Sequence, residues 1–442
     1  MICASNSETY HKRGANLPVI DQINELGVSC PVLNDRVPEW RIAPSPDNAT
    51  KDRGIPGTES ASAPSAPGRK PRLLAIDLVR VLAMVAMIQG HTLDALLQPS
   101  YQTSTWYTVW LFVRGFTAPA FLILSGFSFA LVTVRRWDQH VVCSPAFWRR
   151  LRRFTFFVLL GYTMHFPVHR FADLRWLDAD GWRAGLQVDI LQTIGVTLIA
   201  LQLIVLLTRT PRRFAVVSLA LSAAIALSTA WTWAADWPAR LPVPLAAYLN
   251  GATGSLFPLF PWSAYMLLGA SLGTLYASSN CLSAPLLARR LSLLGLTLGA
   301  GGLSVLTLHG WGPVTNAGDN FWHTSAALFA ARAGVILLVL GAALYLKELP
   351  ADVTATVRTL AQESLLVYFL HICLLYGSIW NSGLREHWGS SFDLPHAAAV
   401  ALLIIASMLI VALAWGRCKT AGKVPVFAVR ALAVVAAAWS LS

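Results

Sequence analysis

The chain has 442 residues, of which 55% are hydrophobic and only 13% charged, and its formal net charge is +12. Soluble domains carry about 25% charged residues, so a chain this apolar would leave greasy surface in water; its solvent is lipid. The positive balance does not point to nucleic acid, because the basic residues cluster in short segments between apolar runs, as the positive-inside rule requires.

The first 68 residues are polar and rich in Pro, Ser, Ala and Asn, with no apolar run of the signal-peptide kind. They read as a disordered cytoplasmic tail, with Ser45 to Gly68 as linker. A short ordered piece from Val19 to Trp40 and a misplaced start codon both stay open. A transmembrane domain follows over 69–442.

The fold class is all-α, a polytopic integral membrane helix bundle of 10–11 transmembrane helices. Spans are predicted near 73–97, 107–134, 154–168, 190–207, 214–234, 257–277, 291–308, 324–346, 364–380, 396–416 and 424–441. Most approach the roughly 20 residues needed to cross the hydrocarbon. The third is short, and the last contains Arg430. Trp106, Trp262, Trp311, Trp322 and Trp388 fall at or near span ends, where amphipathic rings settle. With a cytoplasmic tail, the inside segments hold 19 Lys and Arg and the outside loops 5. That asymmetry sets a multi-pass orientation with a cytoplasmic amino terminus, in the inner membrane if the source is bacterial. The six cysteines (Cys3, Cys30, Cys143, Cys281, Cys373, Cys418) show neither metal spacing nor a paired framework, so they read as unpaired thiols and no metal is expected.

The first span holds the densest polar set. Asp77 and Arg80 are three apart and share a helix face. His91 lies eleven residues beyond Arg80, three helical turns, so it returns to that face about 16 Å further along. A cation thus sits in the inner half and a titratable imidazole in the outer half. Charges within spans usually face a cavity or a partner. A structural Asp77–Arg80 pair with a hydrogen-bonded core histidine accounts for the same pattern. In the second span Arg114 either neutralises Asp94, or a carboxylate on another span, or snorkels outward. Pro119 is a candidate kink, and Ser125-Gly126 permits close helix approach. Asp189 and Gln192, at the start of the fourth span, can meet a polar acceptor or cap the helix. Arg332 in the eighth span points to a carboxylate partner. In the ninth, His371 is one turn from Tyr368 and seven residues from Ser364, either lining the same cavity as His91 or bonded as a core histidine. His165, His169 and His323 lie near outer interfaces and read as solvated.

An Arg, ten residues, then a His, after an Ile-Asp-Leu-Val-Arg opening, resembles the membrane-bound acyltransferase superfamily. Within it, Phe112-Val-Arg-Gly-Phe-Thr-Ala-Pro-Ala-Phe-Leu-Ile-Leu-Ser-Gly-Phe-Ser128 is similar to the heparan-α-glucosaminide N-acetyltransferase-type catalytic domain. So are Val188-Asp-Ile-Leu-Gln-Thr-Ile-Gly195, Phe257-Pro-Leu-Phe-Pro-Trp262 with Gly269 and Gly273, and Glu363-Ser-Leu-Leu-Val-Tyr-Phe-Leu-His371. The resemblance runs in order from about Arg72 to Trp415. Two positions depart from it: Val81 stands where Gly is usual, and residues 92–106 contain no His, so the catalytic role falls on His91.

The resemblance implies transfer of an acyl group, acetyl by preference, from cytoplasmic acyl-CoA as co-substrate to a glycan or other envelope acceptor across the bilayer. In that scheme His91 reacts, as a base or by taking the acyl group itself, with Asp77 and His371 assigned to the same centre. Arg80, Arg72, Arg149 and Arg150 face the polyanionic CoA, although loop topology alone explains the Arg149–Arg153 run equally. Arg114, Asp94, Asp189, Gln192 and Tyr368 are the acceptor candidates. A secondary transporter or flippase using Asp77, Arg80, Arg114 and Arg332 is the rival from another class, and a non-catalytic scaffold a third. Nothing sets the oligomeric state, so a homodimer stays open.

Overall fold

In the computed structural model, residues 73–164, 166–168, 171–279, 283–308, 321–346, 349–378, 381–420 and 422 are described. The tail 1–68, Arg72, His165, His169, Trp311 and the predicted eleventh span 424–441 lie outside them. Among the described residues the regular structure is helical, apart from two isolated β-bridges. The expected all-α membrane bundle is therefore what the chain forms. Among the described residues seven helices are long and apolar enough to cross a bilayer, and eight if one bent pair counts as a single span.

The first span is α1, Leu74–Leu96; it stops before Gln98-Pro99, where the proline disfavours helical backbone in its predecessor. The second span is two helices, α2 (Thr105–Arg114) and α3 (Thr117–Val134). The break falls at Gly115-Phe116, not at Pro119. Pro119 occupies the first turn of α3, where its missing N–H costs no hydrogen bond, while its ring excludes a helical carbonyl one turn upstream.

The arginine run expected in a loop lies instead on the opening turns of α4, Pro145–Met164. Arginine is a good helix former, Pro145 suits the first helical position, and the Ser144 hydroxyl accepts from the Phe147 amide at 3.2 Å. Those charges keep α4 outside the apolar group. Next come α5 (Ile190–Thr208) and α6 (Pro211–Ala234). A capping box of Asp189 and Gln192 opens α5; Arg209 in left-handed conformation ends it, and the Thr210 hydroxyl caps α6.

Next, α7 (Leu259–Ser278) is enclosed by α3, α5 and α6 and is buried almost all round. Ser, Tyr and Gly lower its hydropathy, which a helix walled by protein tolerates better than one facing lipid. A Cβ at Gly126 would strike the Met266 carbonyl and one at Gly269 the Ile123 carbonyl, so α3 and α7 touch backbone to backbone. The pair α8 (Ala284–Leu308) and α9 (Ala326–Leu344) meets similarly at Gly295, Gly302 and Gly334.

The segment 347–363, expected to be a loop, carries α10 (Ala351–Gln362), which bends by 59° into α11 (Ser364–Tyr376). Buried Glu363 sits at the bend and pairs with Lys419 near the end of α12 (Leu394–Thr420). α1 touches α2, α3, α9, α10, α11, α12 and the short helix Leu384–Trp388, so its polar residues have neighbours on several sides.

Candidate active site

The C-terminal half of α1 and the middle of α11 bring His91 and His371 together. His91 Nδ1 lies 3.1 Å from His371 Nε2, and the rings are 14° from parallel with centroids 5.3 Å apart. His371 is fully buried, whereas His91 keeps partial exposure. The Tyr376 hydroxyl donates to the His91 carbonyl at 3.2 Å, and its ring stands edge-on to the imidazole. Tyr368 stands edge-on to His371 and donates its hydroxyl to Asp189 Oδ2 at 3.2 Å. Asp189 Oδ1 accepts from the Ile190 amide at 2.6 Å, so its carboxylate caps α5 and anchors α11 at once. Gln192 is buried, with its carbonyl on the Asp189 amide and its side chain against Gly161 of α4.

Arg114 forms an ion pair with Asp94, from the last turn of α2 to the last turn of α1. Its guanidinium lies 5.4 Å from the Trp110 ring centre, its stem crosses Gly90, and the Trp110 indole donates to Gln89. Arg114 thus packs beside His91 through Gly90, and Asp189 reaches the His91–His371 pair through Tyr368. One end of α1 therefore gathers two imidazoles, a carboxylate and a guanidinium–carboxylate pair.

Arg80 lies in the other half of α1. Its guanidinium donates to Ser128 Oγ at 2.9 Å and the Leu124 carbonyl at 3.4 Å, tying α1 to α3. Asp77, three residues before it, is 2% exposed. Arg149 is exposed on α4, but Arg150 turns inward, donating to Thr133 Oγ1 at 2.9 Å and Gln202 Oε1 at 3.4 Å and covering the Phe129 ring. The Arg332 guanidinium reaches the Gly115 break between α2 and α3. His323 is not a solvated surface group: it stacks on Trp233 at 4.8 Å and meets the edge of Trp262.

Sequence reasoning missed Tyr376 and Ser128. Tyr376 ends the span that carries His371, and Ser128 closes the second-span string already quoted. Both are hydroxyls on spans rich in apolar residues, which was the available signal.

The fold is that of an integral multi-pass membrane protein, and inside its bundle His91 meets His371. The catalytic-domain model of heparan-alpha-glucosaminide N-acetyltransferase matches residues 72–309. That is more than half the chain, and the protein belongs to this family, whose domain is that of a membrane acyltransferase. The matched region holds His91, Asp189 and the Arg114–Asp94 pair, and it ends before α11, which supplies His371. No curated protein matches the chain.

Proposed function

We propose that the protein moves an acetyl group from acetyl-CoA at the cytoplasmic face to an acceptor hydroxyl or amine, on a glycan or another envelope molecule, at the opposite face. The observation that carries this reading is the contact of His91 with His371, whose positions are 280 residues apart in the chain. An imidazole held this way, with partial exposure, can take a proton from the acceptor as it attacks the thioester carbonyl. The C–S bond then breaks, and the proton passes to the departing CoA sulfur.

The other residues divide along α1. Arg80 lies about 16 Å from His91 along the helix axis, on the side where the loop charges put the cytoplasm. Exposed Arg149, Arg152 and Arg153 on α4 offer cations to the CoA phosphates. Arg114, held by Asp94 beside His91, presents a polar wall to the acceptor.

Purified protein in detergent should hydrolyse acetyl-CoA slowly and gain thermal stability as CoA is added. Neither effect, together with gradient-driven solute uptake by vesicles containing the protein, would overturn the enzyme reading in favour of transport.

A further inference from the structure

We propose that His371 is a positioning residue that holds His91 in one tautomer, with the proton on Nδ1, so that His91 Nε2 is the basic atom of the site. This rests on the acyl-transfer reading, but its geometric part stands apart from it.

The hydrogen bonds run in one direction. His371 Nδ1 lies 2.7 Å from the Val367 carbonyl oxygen. A carbonyl oxygen only accepts, so His371 Nδ1 carries a hydrogen. In a neutral imidazole the other nitrogen then offers a lone pair, and that nitrogen, Nε2, faces His91 Nδ1 at 3.1 Å. Two lone pairs cannot bond each other, so His91 Nδ1 donates. His91 Nε2, on the far side of its ring, is left with its lone pair outward. The opposite order, with the proton on His371 Nε2, would set a bare His371 Nδ1 against the Val367 carbonyl oxygen, two acceptors with no hydrogen between them.

The partner is rigidly placed. His371 is fully buried, Tyr368 stands against its ring, and Tyr368 is tied to Asp189 at the cap of α5. Tyr376 fixes the His91 backbone carbonyl from the same helix. A chain of fixed contacts therefore runs from the start of α5 through α11 to the reacting imidazole.

The step balances as follows. The acceptor X–H gives its proton to His91 Nε2 while X bonds to the thioester carbon. His91 becomes an imidazolium, and its Nδ1–H is stabilised by the His371 Nε2 lone pair. The C–S bond breaks, and the Nε2 proton moves to sulfur, giving acetyl-X and CoA–SH with both histidines restored. A second imidazole thus fills the orienting role that a carboxylate fills in other acid–base pairs.

The test uses full-length protein in lipid nanodiscs with ¹⁵N-labelled histidine, the His91 signals being identified by their loss in His91→Gln. At pH 8 wild type should show His91 protonated at Nδ1 and bare at Nε2. His371→Leu should scramble that tautomer and lower kcat about 10²–10⁴-fold, with KM for acetyl-CoA within about threefold. His371→Gln, whose side-chain carbonyl can accept from His91 Nδ1, should restore the tautomer and part of the rate. A His91 ring protonated at Nε2, or a tautomer untouched by His371→Leu, would overturn the inference. Absence of acetyl transfer by wild type would instead remove the acyl-transfer reading, with the tautomer result still decided by the spectrum.

Discussion

Along α3 and α7 two backbones touch through Gly126, Gly269 and Gly273, whereas α10 and α11 meet α1 across a 59° bend that carries Glu363, Tyr368 and His371. At these glycines the first seam has no room for a side chain. The second is made of side chains that hydrogen bond one another and reach α1, α5 and α12. In lipid, close backbone packing supplies a stable frame, because apolar burial alone gives helices little reason to associate. Polar contacts inside the membrane are costly to leave incomplete, so they mark where a span serves something besides packing. The difference teaches that the glycine seam of α3 and α7 lies within the matched family domain, while Glu363, Tyr368 and His371 come from the chain beyond it.

The largest effect should come from the frame. Gly269→Val would drive its side chain into the Ile123 backbone, and the variant should fail to yield monodisperse protein on size exclusion. Gly301, where a Cβ would meet nothing within 4 Å, is the matched control. Gly301→Ala should keep or raise the Tm, by up to about 1 kcal/mol of helix propensity. Equal tolerance at both positions would break the comparison.

The bend should respond more gently. Lys419→Ala leaves the buried Glu363 carboxylate without its cation and should cost about 2–4 kcal/mol, while Glu363→Gln should cost less because no charge stays buried. Thermal unfolding in detergent checks the order of the two. Arg114→Met, which strands the partly exposed Asp94, should cost about 1–2 kcal/mol, and Asp94→Asn less. If Lys419→Ala and Glu363→Gln were both silent, the bend would not be held by its ion pair.

The smallest effect lies apart from both regions. His140, in the short helix between α3 and α4, is buried, and burial followed by the Arg150 and Arg136 charges pulls its imidazole down to about 4. The folded protein therefore binds its proton later than the unfolded chain does. The contribution is intact above about pH 6.5 and is lost as pH falls toward 4. His140→Gln should flatten the Tm difference between pH 7 and pH 5.

Much of the frame was legible in the sequence because long apolar runs admit few alternatives to a span. Ser125-Gly126 announced the close approach to α7, and the Arg80–His91 spacing placed two polar groups on one face. The break at Gly115 was not legible, since a proline displaces its disruption one turn upstream and Pro119 drew attention to itself. The helix over Ala351–Gln362 was hidden because its polar face lowers its hydropathy to that of a loop. Within the site, Tyr368 was read as facing an acceptor and Asp189 as facing one or capping the helix, and the cap is present. In the structure they bond each other, a pairing between positions 179 apart that no local spacing encodes. Glu363 and Lys419 were missed for the same reason.

The central claim is that His91 is where donor and acceptor meet. It is tested most directly by single-turnover transfer from radiolabelled acetyl-CoA in membranes that contain the acceptor, comparing wild type with His91→Gln. The rate should fall at least about 10²-fold in the variant, with its thermal stabilisation by CoA unchanged. An unchanged transfer rate in a folded, CoA-stabilised His91→Gln protein would contradict it.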